Sequence, residues 1–263
     1  MITSLRNSEI VKLRKLKQRK YRRQQGRFVV EGLQLLRMAV DAEVYPTQVF
    51  YCEEMFACRE AWNLIKIFKE QNTILTPVSR KVMESISDRD SPQGLIATFK
   101  LLNRTLHDTT VGKNDLVLVL EQLQDPGNLG TLIRTADAVG AGAVILIEPC
   151  VDVFDFKTVR SSMGSIFNLP IISCSSADEA FIWLKKHSIR IVGADPHVGA
   201  DWGEGLWNGG TAIVLGNEAR GLSEKIRERI THFARLPIVG SAESLNVAIA
   251  GSVLMYEWLK HNR

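Results

Sequence analysis

The chain has 263 residues, 45% of them apolar and 24% charged, with four cysteines and a formal net charge of +4. That length accommodates two ordinary domains of ~150 residues in a soluble globular protein, and no run approaches the ~18 uninterrupted apolar residues of a membrane helix. Cys52, Cys58, Cys150 and Cys174 form no CxxC pair and stand near no histidine cluster, which argues against a zinc site or disulfide framework and for a reducing cytoplasm.

The charge is unevenly placed. Residues 1–27 hold ten lysines and arginines against the single acid Glu9, so the rest of the chain is net acidic. The basic start lacks a following apolar core and does not read as a secretory signal. It reads either as a solvated leader or as a nucleic-acid arm. In the second reading Arg14, Lys15, Lys17, Arg19, Lys20, Arg22 and Arg23 meet phosphates and release counterions. Ile10, Leu13 and Leu16 recur at three-residue spacing, as on a helix face.

After Gly26 the pattern changes. Residues 28–32 (FVVEG) read as a strand entering a turn, followed by a helix from Leu33 that ends near Pro46. Strands are predicted at 49–52, 74–77 and 95–99, a helix at 61–71, and a short helix capped by Ser79 at 79–86. Residues 28–99 thus predict a small α/β/α domain, and they hold no convergent acid, base or metal set. Residues 100–114 are polar and aperiodic and read as a linker; His107, with no second ligand nearby, reads as a solvated loop residue.

From Asp115 to the end of the chain, the βαβ rhythm is stronger. The five apolar residues 116–120 predict a strand covered on both faces, and residues 125–128 (DPGN) supply a turn and helix cap before a helix over 129–139. Strands follow at 143–147, 171–172, 191–192 and 213–215, with a helix over 177–187 and an apolar closing helix over 245–260. The run 236–239 (LPIV) also reads as a buried strand that breaks at Gly240.

Three loops could carry chemistry. In the first, Asn128 can cap its helix and Gly127 and Gly130 permit close backbone approach. Arg134, six positions on, falls about 240° round the helix, off the same stripe. Taken alone, it is an ordinary exposed arginine. The second, Leu215–Leu222, brackets Asn217, Glu218 and Arg220 between glycines directly after a strand, where α/β sheets place their sites. In the third, Leu236–Asn246, Ser244 and Asn246 lead the last helix and could be simple caps. GxGxxG, GxxxxGK[ST], GxSxG and HExxH are absent, which argues against dinucleotide, nucleoside-triphosphate, esterase and zincin chemistry.

Taken together, Asn128–Gly140, Ile213–Glu224 and Leu236–Ala250 resemble, in order and spacing, the three signature motifs of the SpoU/TrmH family of RNA ribose 2′-O-methyltransferases. The resemblance covers 115–260 closely, and 28–99 looks like the family's N-terminal substrate-binding domain, similar to ribosomal protein L30e. It implies a C-terminal SPOUT α/β domain threaded as a deep trefoil knot, a topology no composition reveals. It also implies binding of S-adenosylmethionine by Gly216, Leu236, Ile238 and Leu245 with the adjoining Leu215 and Asn217. Arg134 would act on the acceptor hydroxyl, and Asn128, Glu218, Ser244 and Asn246 would shape the site. A guanidinium titrates above ~12, so Arg134 is expected to serve as phosphate anchor and electrostatic stabiliser, with base character left open. No metal is required. The resemblance further implies a homodimer through the knotted domain and, from the extra N-terminal domain, 23S ribosomal RNA as the favoured substrate. The alternatives are a tRNA substrate, methylation of a base, or an inactive RNA-binding relative.

Overall fold

The computed structural model describes residues 1–263. In chain order its first elements are α1 (Ser8–Lys15), α2 (Arg19–Gln25), β1 (Arg27–Glu31), α3 (Leu33–Asp41), β2 (Gln48–Tyr51), α4 (Arg59–Glu70), β3 (Ile74–Pro77), α5 (Arg80–Ile86) and β4 (Leu95–Lys100). They are followed by β5 (Leu116–Glu121), α6 (Pro126–Ala138), β6 (Ala143–Ile147), α7 (Phe156–Ser161), β7 (Ile171–Cys174), α8 (Ala177–Lys186) and β8 (Arg190–Ala194). The chain ends with β9 (Ala200–Asp201), β10 (Thr211–Leu215), α9 (Glu224–Arg227), β11 (His232–Arg235) and α10 (Val247–Asn262). No helix is long and apolar enough to cross a membrane. Contacts divide the chain into two compact units, residues 1–102 with 152–167, and residues 103–151 with 168–263.

The first unit is built on a four-stranded sheet of order β1-β4-β2-β3. β4 runs antiparallel to both β1 and β2, and β3 lies parallel to β2. Ser79 caps α5 as its sequence position predicts, accepting from the Val82 N–H. The basic start belongs to this fold. Ile10, Leu13 and Leu16 bury against Phe50, Val82, Met83 and Ile96, and Ile2 forms a bridge with Val78.

One expectation fails here. Arg22 is not an RNA contact: it is only 3% exposed. Its guanidinium donates to Asp152 at 3.0 and 2.7 Å and to the carbonyls of Leu16 and Lys17. A guanidinium held out of water needs such partners, and the partner acid lies 130 residues away, where no local charge pattern reveals it. Arg19 shares that acid at 4.0 Å. Arg14 donates to Ser85 at 2.7 Å, and Lys17 pairs with Asp88 at 2.8 Å. Lys15, Lys20 and Arg23 face outward; the first two lie over the Tyr21 ring at 5.2 and 5.9 Å.

The segment 152–167, which contains α7, belongs to this unit although its flanks belong to the other. Phe154 packs on Phe28 at 4.8 Å between ring centroids and Phe167 on Phe99 at 5.1 Å. Nothing in the sequence around Asp152 marks this departure.

The second unit holds a seven-stranded, wholly parallel sheet of order β7-β6-β5-β10-β8-β11-β9. Every residue of β5, β6 and β10 is buried, as the uninterrupted apolar runs require of strands covered on both faces. Side chains of α8 and α9 cover Val117, Val119, Ile145 and Val214, while α10 packs against α6 and β10. Gly251 permits that last approach: a Cβ there would come within 2.5 Å of Leu215 and 2.7 Å of Leu132. Leu106 and Arg104, from the polar stretch 100–114, also join this unit, through its core and a bridge to Ile172. The strand expected at 236–239 is not formed. β11 ends at Arg235, and Leu236–Ser244 runs without regular structure; Pro237, which has no N–H, cannot extend the ladder.

Candidate cofactor and acceptor site

β10 ends at Gly216, and the chain there passes its own backbone. A Cβ on Gly216 would meet the Gly221 carbonyl carbon at 2.2 Å and the Leu222 nitrogen at 2.3 Å, so only glycine fits. Asn217 and Gly221 close the loop through paired backbone hydrogen bonds of 2.9 Å each. The buried Asn217 side chain accepts from the N–H groups of Ala219 and Arg220 and donates to the Gln122 carbonyl at 2.9 Å. The loop is thereby tied to the end of β5.

Beyond these strand ends lies a cavity of about 470 Å³, within the ~300–1,000 Å³ of small-molecule sites. Leu215, Gly216, Asn217, Leu236, Ile238 and Leu245 all line it, with Glu218 and Ser244. The structure thus collects eight of the eleven predicted cofactor and catalytic residues around one space.

Asn128 and Asn246 do not line the cavity but reach it by hydrogen bonds. The Asn246 amide donates to Asn128 Oδ1 at 3.1 Å, and the Asn128 amide donates to Glu218 Oε1 at 3.2 Å. Asn246 caps α10, accepting from the N–H groups of Ala248 and Ile249. Asn128, by contrast, is not the cap of α6. Asp125 holds that position and accepts from the Asn128 N–H at 2.8 Å, which frees the Asn128 side chain for Glu218.

Nor does Glu218 cap the helix that follows it. Its carboxylate takes N–H groups from Gln124 at 3.1 Å and Asp125 at 2.9 Å, gripping the loop that precedes α6. Partial burial works to raise its pKa, but these N–H donors and Asn128 outweigh it and hold the carboxyl below its ordinary 4.5. None of its hydrogen bonds goes to Arg134. Arg134 is exposed on α6, away from the cavity lining.

A family model described as "SpoU rRNA Methylase family" matches residues 115–256, and one described as "MRM3-like substrate binding domain" matches residues 7–97. The chain belongs to the SpoU family. Relatives include the 23S rRNA (guanosine(2553)-2′-O)-methyltransferase RlmP of Bacillus subtilis, 30% identical over 97% of each chain. Another is the 23S rRNA (uridine(2479)-2′-O)-methyltransferase of Streptomyces viridochromogenes, 30% identical over 91% of this chain and 84% of that one. Among solved structures, an AdoMet-bound rRNA methyltransferase from Sinorhizobium meliloti superposes with a TM-score of 0.90 at 30% identity, covering 99% of this chain and 97% of that one.

The SpoU motifs did not point to one wall of the cavity. Ala194–His197, at the carboxyl end of β8, line it with Arg227. Asp195 ion-pairs with Arg227 and accepts from the N–H groups of His197 at 2.8 Å and Val198 at 3.1 Å. Burial works to raise the Asp195 pKa, but Arg227 and the two amides hold it below 3.8. The available signal was positional: residues 191–196 (IVGADP) are a short apolar strand opening into polar residues, the same pattern that singled out Gly216.

Proposed function

We propose that this protein transfers the methyl group of S-adenosylmethionine to a ribose 2′-hydroxyl of RNA, with 23S ribosomal RNA as substrate. The observation that carries the reading is the meeting of Gly216, Leu236, Ile238 and Leu245, from two of the three motifs, around one cavity in a SpoU-family chain. The residues fit the cofactor. Leu215, Leu236, Ile238 and Leu245 offer apolar surface for a purine, while Asn217, Glu218 and Ser244 supply polar groups. S-adenosylmethionine held there would supply an electrophilic sulfonium methyl to the 2′-hydroxyl, with S-adenosylhomocysteine as the leaving group and the hydroxyl proton passing to solvent.

The chain's own part is positional and electrostatic. The Asn246–Asn128–Glu218 series fixes the start of α6 against the loop after β10, so the methyl-donor and acceptor sides of the site hold one geometry. Arg134 anchors an acceptor phosphate and stabilises charge developing on the oxygen. Its distance from the cavity lining is accounted for if the site is completed by a second copy. Ile249 and Tyr256, seven residues apart on α10, are exposed although Ala248, Gly251, Leu254, Met255 and Trp258 bury into the parent unit. That outward face is the dimer contact. In this reading the second unit is threaded as the family's trefoil knot.

The test is incubation of the protein with methyl-labelled S-adenosylmethionine and unmodified ribosomal RNA, followed by nucleoside analysis. A 2′-O-methylnucleoside is expected. A base-methylated nucleoside, or no transfer to ribosomal RNA, would overturn the proposal.

A further inference from the structure

We infer that Asp195 is a cofactor-binding residue that accepts a hydrogen bond from a ribose hydroxyl of the S-adenosyl group. The inference rests on the proposed use of the cavity. Asp195 lies in the cavity wall, its side chain 12% exposed. Gly193 pairs in register with Val214, so two residues on, Asp195 and Gly216 leave neighbouring parallel strands side by side.

A carboxylate has about four acceptor directions, two on each oxygen. Oδ1 uses both on the N–H groups of His197 and Val198. Oδ2 uses one on the Arg227 guanidinium, which in turn lies over the Phe233 ring at 5.0 Å. One direction, on Oδ2, is left. The network holds Asp195 ionised and fixes it to the loop at the cavity rim, so the remaining acceptor is held in place without the entropy cost of a free side chain.

The charge count selects the donor. Arg227 already offsets the Asp195 charge, so the group it takes up need carry none. The ammonium of the cofactor would be better served by Glu243, which lines the same cavity and has no ion pair. Leu236, Ile238, Leu245, Val247 and Leu254 line the cavity with apolar surface that suits the faces of adenine. The hydroxylated part of the nucleoside is then left to the polar ends of β8 and β10.

The experiment is calorimetric binding of S-adenosylhomocysteine and three analogues lacking the ribose 2′-hydroxyl, the 3′-hydroxyl or the adenine amino group (the inosyl form). Each is measured on the wild-type protein, Asp195→Asn and Arg227→Gln. One deoxy analogue should bind wild type about tenfold more weakly, as expected for losing a hydrogen bond to a charged group. Asp195→Asn should bind the parent ligand more weakly and lose that discrimination. Arg227→Gln keeps the carboxylate and should retain it. Equal wild-type affinity for both deoxy analogues, unchanged discrimination in Asp195→Asn, or a penalty confined to the inosyl analogue overturns the inference. Failure of the wild type to bind S-adenosylhomocysteine at all would instead overturn the cofactor reading beneath it.

Discussion

Arg134 and Glu218 are both charged residues of the signature motifs, and the structure gives them opposite circumstances. Arg134 stands in solvent on α6, so its replacement should leave stability within ~0.5 kcal/mol of wild type. Arg134→Lys keeps the charge but not the planar fork. We expect methyl transfer to fall by about 10²-fold with cofactor affinity unchanged; near-wild-type transfer would count against the anchoring role. Glu218 is engaged on three sides by Gln124, Asp125 and Asn128. Its pKa is lowered in the folded state, so the stability it contributes is present above the ordinary value of 4.5 and is lost as pH falls through the lowered one. Melting curves from pH 7 to 3 should therefore show Glu218→Gln less stable than wild type at neutral pH, with the gap closing below pH 4.5. A constant gap would mean the carboxylate's ionisation is not what stabilises the loop.

At the scale of elements, the site is made by strand ends and one tight loop. β10 is positioned by β5 on one side and β8 on the other, and the Gly216 turn then brings two backbone segments into contact. Gly216→Ala places a methyl against backbone, not against a movable side chain. Overpacking of that kind costs about 3 kcal/mol or more, so we expect a large drop in melting temperature and loss of S-adenosylmethionine binding. A variant that melts and binds like wild type would show that the loop can open.

For the whole molecule, the first 27 residues do two jobs that their charge alone does not separate. Arg22 joins α2 to the segment 152–167 through Asp152 and, at 3.7 Å, Asp155. Removing one partner of a buried pair costs about 3–5 kcal/mol, so Arg22→Ala should unfold the first unit at markedly lower denaturant. A combined Lys15, Lys20 and Arg23 to alanine variant should keep its stability while RNA affinity falls and its log–log salt slope drops by about 3. An unchanged slope would remove those three cations from the RNA surface. Ile249 and Tyr256 give the assembly a separate test: changing both to arginine should yield monomers in sedimentation that still bind cofactor but do not methylate. A wild-type protein that sediments as a monomer would sink the dimer.

Sequence alone carried the parts of this protein that depend on local order. The apolar runs of β5, β6 and β10, the Ser79 cap and the glycine-broken loops follow from side-chain chemistry within a few residues, and three motifs in series carried the family, two of them lining the cavity. The exceptions were also local in appearance: Asn128 looked like a cap, 236–239 like a strand and Arg22 like a phosphate ligand. Tertiary structure decided Asn128 and Arg22 differently because their side-chain partners arrived from far along the chain, while Pro237, lacking an N–H, kept 236–239 out of the ladder. Asp125 took the cap while Glu218 and Asn246 took Asn128; β11 used His232–Arg235; Asp152 took Arg22. Asp195 was left out for the same reason. Its acceptor geometry exists only once Arg227 and the end of β8 meet in one wall of the cavity, and no spacing in the sequence records a meeting of that kind.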